Sequence, residues 1–265
     1  MEHSGQVFKM RVEHDDPVRY FLPIGDELPE ISELIGENIQ FSFGGDIFCI
    51  SCGNKTNKSF AQGFCYNCFM SAPEAAECII RPELCLAHEG KGRDIEWEKE
   101  HHLQEHFVYL AVASGIKVGV TRSTQIPTRW IDQGASRAIL FAKTPNRYLS
   151  GVIEVALKGH ISDKTNWRRM LKNEIADYDL NEEKEKMKSL LPDELLQYVE
   201  SEESDITHIE YPVDQFPEKV KSVGFDKLPE ISGVLNGIKG QYLLFDEDRV
   251  LNIRKHTGYV IKLQY

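Results

Sequence analysis

Four of the six cysteines form two C-x-x-C pairs, Cys49–Cys52 and Cys65–Cys68, with twelve residues between the pairs. One C-x-x-C turn presents two thiolates to a single ion, and a second turn closes the tetrahedron that structural zinc prefers. Gly53, in CISCGNK, can supply the positive φ that such a turn needs. A redox pair would call for one C-x-x-C on a thioredoxin-like background, and disulfides belong to oxidising compartments, so this spacing reads as zinc. Four thiolates leave no position open for water, which makes the site structural.

Cys78 and Cys85 lie in ECIIRPELCLAH, and His88, His101, His102 and His106 stand at or just beyond it. Cys85-x-x-His88 has the spacing of a zinc turn. A second zinc site of Cys78, Cys85, His88 and His102 is therefore one reading, with His101 as the nearest substitute for His102. Two buried thiols beside surface histidines is the other, because free cysteine packs as a small hydrophobe.

The net charge of −11 argues against nonspecific attachment to a polyanion. The charge is unevenly placed, however. Between Phe107 and Lys172 eleven basic residues face only Asp132, Glu154 and Asp163, and the following 33 residues carry twelve acids against three lysines. The basic segment is either built to meet an anion or neutralised within the fold by its acidic flanks.

The elements that would hold these residues follow from periodicity. Residues 106–112 and 116–121 are apolar strand signals joined at Ser114-Gly115, a hairpin. A short helix opens at Pro127-Thr128-Arg129 and ends near Gly134, and Ala138–Ala142 is a third strand. From Arg147 to His160 the apolar residues Leu149, Val152, Ile153, Ala156 and Leu157 mark one helical face, and Arg147, Glu154 and Lys158 share the opposite one. The order is ββαβα.

Residues 1–46 read as a β segment, with strands at QVFKMRV and NIQFSF and a turn at Gly44-Gly45-Asp46. Residues 47–105 are the zinc-binding module, 106–172 the ββαβα unit, 173–205 an acidic helical connector ending in a solvated linker at Ser201–Asp205, and 206–265 a second β segment. LPEIS occurs at 28–32 and again at 228–232, a short echo between the two ends. The fold class is α+β. With no signal-peptide core at the start and no apolar run near the ~20 residues of a membrane span, a cytoplasmic protein away from membranes is expected.

The hairpin FVYLA…IKVGVT, followed by Arg129 and Glu154, resembles the GIY-YIG nuclease superfamily over about a quarter of the chain. With the upstream cysteines and the words PTRWIDQGA and DKTNWR, the whole chain resembles a prokaryotic family, domain of unknown function 2797. The superfamily resemblance implies that Tyr109 helps to activate or orient the attacking water, that Arg129 faces the scissile phosphate, and that Glu154 holds a single Mg²⁺ or Mn²⁺. Asn166 matches a later asparagine. Two positions depart from the pattern: Lys117 stands where the second motif has tyrosine, and Gln133 where many members have histidine.

The resemblance thus implies a metal-dependent phosphodiester hydrolase acting on DNA or RNA, with Tyr109, Lys117, Arg129 and Glu154 as its chemistry. Arg122, Arg147, Lys158, Asn166, Arg168 and Arg169 are the expected nucleic-acid contacts, and Trp167 is placed to stack a base or to fill a core. The same residues have plainer readings. Tyr109 can be a core aromatic, Arg129 can pair with Asp132, and Glu154 can be a solvated residue between two cations. A nucleic-acid-binding protein without catalysis, or a zinc-stapled scaffold that docks a protein partner, are the alternatives that follow.

Overall fold

A computed structural model describes residues 1–161, 166–200 and 205–265 of the chain. Most of the Ser201–Asp205 linker, and Asp163 and Lys164 of the basic segment, lie outside the described residues. The architecture is mixed α and β, built on two main sheets.

The smaller sheet is antiparallel. Its order is Ile116–Arg122, His106–Val112, Arg137–Thr144, Thr207–His208. His106–Val112 is buried along its whole length because both faces are covered, which is why it reads as an unbroken apolar run. Val108, Leu110 and Val112 face the helix Arg147–Lys158, meeting Ile153 and Leu157. Tyr109 and Ala111 face the other way, into a core shared with Trp130, Ile131 and the larger sheet. The elements run strand, strand, short helix Thr128–Asp132, strand, helix, in the ββαβα order. Asn146 caps the last helix, its side chain accepting from the Leu149 N–H at 3.0 Å.

The two ends of the chain form one seven-stranded sheet, in the order Glu2–Gln6, Tyr259–Gln264, Asn38–Ile47, Glu230–Lys239, Tyr242–Phe245, Arg249–Asn252, Lys221–Val223. The second LPEIS word leads into a strand that pairs with NIQFSF, Ile231 opposite Phe41. Two details differ from the sequence reading. The QVFKMRV signal is split, because Phe8–Met10 leave the sheet between Glu2–Gln6, whose pairing extends to Val7, and Arg11–Glu13. Gly44-Gly45-Asp46 is not a turn; the strand runs through it with a bulge, and Tyr259 pairs with Ile47 while Ile261 pairs with Phe43. Glu230–Lys239 is a full strand whose glycines 233 and 237 hide its alternation.

Between the first β segment and the hairpin, residues 48–105 fold as turns and single 3-10 turns around two short helices, Tyr66–Ser71 and Ile95–His102. The acidic connector packs closely rather than standing off. Leu180 and Met187 of the helix Leu180–Lys188, with Leu191 and Leu195, complete the core over the small sheet. Its acids neutralise part of the basic segment: Asp177 pairs with Arg137 at 3.7 Å, and Glu174 with Arg169 at 3.1 Å and with Lys172. Among the described residues no helix is long and apolar enough to cross a membrane.

Candidate functional site

The four paired cysteines converge. Their Sγ atoms lie within 4.8 Å of one another, and those of Cys52 and Cys65 are 3.9 Å apart. The first knuckle is a tight turn closed by the Gly53 N–H donating to Cys49 O at 2.9 Å, with Gly53 at φ +71°. In the second, Cys65 is the N-cap of Tyr66–Ser71 and Cys68 lies in its first turn, where helix N–H groups and the dipole favour thiolates. This donor set can hold a zinc ion, and four sulfurs close the coordination shell.

The two remaining cysteines meet Glu98 and His102, all four buried and their donor atoms within 4.8 Å. His88 is not brought to this group. It stacks on Tyr148, ring centroids 4.4 Å apart, and Glu98 stands in the place expected of it. His101 stacks on Trp97 at 4.0 Å, and the His106 ring engages the Gln104 carbonyl at 2.8 Å. A sequence signal for Glu98 exists: Asp94 caps the helix Ile95–His102, so Glu98 and His102 fall at i and i+4 on one face.

Tyr109, Lys117, Arg129 and Glu154 line one pocket of about 380 Å³ over the outer strand Ile116–Arg122. The hairpin register sets Tyr109 opposite Gly119 and Lys117 two residues along the same face. Tyr109 is fully buried and its hydroxyl donates to Gln133 Oε1 at 3.0 Å. Burial pushes the phenol's pKa up, against the pull of the Arg129 guanidinium. Burial, reinforced by Arg129, brings the Lys117 amine down to about 7.

Asp132 does not serve as the partner of Arg129. It is held by Lys9 and by Gln241, whose amide donates to it at 2.9 Å. Among the described residues no carboxylate lies within ion-pair distance of Lys117, Arg122 or Arg129.

Glu154 is not on a solvated face. The polar side of its helix is covered by residues 78–83, which approach so closely at Gly151 that a Cβ there would sit 2.2 Å from Glu83 N. Burial raises the Glu154 pKa; Lys158, at 3.1 Å, opposes the shift. Glu154 Oε2 is buried, and it is the oxygen that Lys158 Nζ approaches, off the line of a hydrogen bond. Arg147 ties this helix to the cysteine segment, donating through Nε to Cys78 O at 2.8 Å and through Nη2 to Ile79 O at 2.7 Å.

Of the expected nucleic-acid contacts, Arg122 and Arg147 line the pocket. Lys158 is at Glu154, and the other three lie elsewhere. Asn166 is the N-cap of Trp167–Leu171, accepting from Arg168 N at 3.0 Å and Arg169 N at 3.4 Å. Arg168 lies over the Trp167 ring, which stacks on Tyr242 at 5.8 Å. Trp130 is buried against Tyr109, ring centroids 5.9 Å apart. Trp97, His101 and His102 also line the pocket, and the sequence reading had placed none of them there. A larger apolar groove of about 1060 Å³ shares only Ile79 and Ile80 with it.

No curated protein and no solved structure matches the chain. One family model does, over residues 36–261, from the first long strand of the large sheet to its last. The chain belongs to that family, described as protein of unknown function (DUF2797).

Proposed function

We propose that the chain binds a nucleic-acid phosphodiester in the 380 Å³ pocket and hydrolyses it with a divalent cation at Glu154. The observation that carries this reading is the meeting of Tyr109, Lys117, Arg129 and Glu154 in one pocket, although they come from two strands and two helices. The resemblance of the ββαβα segment to GIY-YIG nucleases supports it.

Cations without carboxylate partners suit a phosphate, and Arg129 is a fixed charge against the density that builds on the phosphoryl oxygens. Lys117, with its amine near 7, is neutral in a large fraction at neutral pH and can take a proton. In the step proposed, Lys117 accepts the proton of the attacking water as its oxygen bonds to phosphorus. The bond to the leaving sugar oxygen breaks, and that oxygen takes a proton from solvent. Tyr109 is too buried and too weakly acidic to be the base, so it positions Gln133. Glu154 Oε2 is buried and faces Lys158 Nζ at 3.1 Å; a hard cation there would take over from that ammonium, its other ligands water and phosphate. Mg²⁺ or Mn²⁺ there would add positive charge at the phosphoryl oxygens.

A second reading, binding without cleavage, is favoured by the Tyr109–Gln133 bond, which occupies the hydroxyl where the resemblance expects a histidine nearby. The deciding experiment offers single- and double-stranded DNA and structured RNA, with Mg²⁺ or Mn²⁺, to the wild type and to Glu154→Gln. Cleavage by the wild type alone supports the hydrolase. Binding by both without cleavage, weakening linearly with log salt, supports the second reading. Neither binding nor cleavage overturns both and leaves the zinc-stapled scaffold with a protein partner.

A further inference from the structure

We infer that Cys78, Cys85, Glu98 and His102 form a second metal centre, a closed zinc site of two sulfurs, one nitrogen and one oxygen. It fixes a wall of the anion pocket; that role rests on the reading above, the metal site itself does not.

The distances fit ligands around one ion, and the nitrogen–carboxylate distance is too long for a hydrogen bond. His102 Nδ1 lies 3.5 Å from Cys85 Sγ and also 3.5 Å from Glu98 Oε2. An N–H···O bond would close to about 2.9 Å. Zinc bonds of about 2.3 Å to sulfur and 2.0–2.1 Å to nitrogen or oxygen put tetrahedral edges at roughly 3.3–3.6 Å. One imidazole nitrogen equidistant from a thiol and a carboxylate is the geometry of ligands around a shared ion. The 3.9 Å Cys52–Cys65 separation has the same character for two sulfurs.

Burial points the same way. Glu98 and His102 are each 2% exposed, and the protein gives the carboxylate one backbone donor, Arg93 N at 2.8 Å. Two thiolates, a carboxylate and a neutral imidazole call for a divalent cation, and the two soft sulfurs select zinc over magnesium or calcium. The segment also lacks a core of its own. Cys78, Cys85 and Ala87 are its only cluster among the described residues, while Ile80 is 78% exposed and Leu84 and Leu86 are exposed as well. Chain this poor in apolar burial needs a staple.

The staple has a position that matters. It joins the helix of Trp97 and His101 to the Cys78–Cys85 segment, whose Ile79, Ile80 and Pro82 line the pocket and whose carbonyls hold Arg147.

The test is metal analysis of the full-length chain purified from zinc-supplemented medium, a readout independent of cleavage. Two zinc ions per chain are expected, falling to one in Cys85→Ala/His102→Ala. Cobalt refilling of the wild type should give two superposed ligand-field spectra, one of four sulfurs and one of mixed donors. One zinc per wild-type chain, with Cys78 and Cys85 freely alkylated or disulfide-linked, overturns the inference, whatever the double variant does. Two zinc ions retained by a folded double variant would also overturn it, because the second ion would then have other ligands.

Discussion

Tyr109 and Gly119 face each other across the hairpin, and the phenol hydroxyl fills the space a side chain at 119 would need. A Cβ on Gly119 would lie 2.5 Å from the hydroxyl oxygen and 2.6 Å from the ring carbon bearing it. The glycine is therefore required by the tyrosine, which in turn reaches Gln133 and packs on Trp130. Gly119→Ala should cost about 1–3 kcal/mol by overpacking. Urea denaturation would show it. Tyr109→Leu, which clears the space, should make the same alanine cheaper, so the two changes should be strongly non-additive in a double-mutant cycle.

Lys117 gives the proposed hydrolysis a pH signature. Its amine, brought down to about 7 by burial and Arg129, must be neutral to accept a proton. The single-turnover rate should rise with pH, about tenfold per unit below the inflection near 7, and level off above it. Lys117→Arg keeps a charge but no usable base, so the step should vanish and the rate fall about 10²–10⁴-fold. An unchanged profile in that variant would remove Lys117 from proton transfer.

The parts of this site that were legible in the sequence are those fixed by local pattern. Tyr109 and Lys117 sit on a hairpin whose apolar runs and Ser114-Gly115 turn are contiguous, and the four cysteines announce themselves by spacing. What the sequence could not show is what covers a face. The plainer reading of Glu154, solvated between Arg147 and Lys158, misses that residues 78–83, far away in the chain, supply its lid. Glu98 was hidden as one acid on a mostly polar helix, and His88 was suggested by a spacing that the fold uses for stacking on Tyr148. Asn166 caps a helix and Arg168 lies over Trp167, both away from the pocket.

Glu154 should destabilise the apo fold at neutral pH. Burial raises its pKa in the folded chain, so the native state binds more protons than the unfolded one between the ordinary carboxylate range and the raised value. Stability then falls as pH rises through that window. Glu154→Gln removes the cost, so its melting temperature should exceed that of the wild type at pH 7–8 and converge with it near pH 4. Added Mg²⁺ or Mn²⁺ should raise the wild-type melting temperature and leave the variant unchanged. A variant less stable than the wild type at every pH would mean that the carboxylate is satisfied by Lys158 alone.

Arg147 is the mechanical link between the helix of Glu154 and the cysteine segment, since its guanidinium donates to two consecutive carbonyls, Cys78 O and Ile79 O. Its guanidinium is half-buried, which lowers its pKa, and the neighbouring Cys78 and Cys85 oppose that shift. Arg147→Met keeps the apolar stem and removes both bonds, leaving two carbonyls to find water. Hydrogen bonds from a charged donor contribute about 1.5–3 kcal/mol each, so roughly 2–4 kcal/mol should be lost allowing for partial rehydration. Arg147→Lys can reach only one carbonyl well and should recover less than half of that. Hydrogen exchange should localise the loss: amides of residues 78–85 should exchange faster in Arg147→Met, while the buried strand His106–Val112 keeps its protection. If the strand and the segment loosened together, Arg147 would be supporting the whole core rather than joining two parts of the pocket wall.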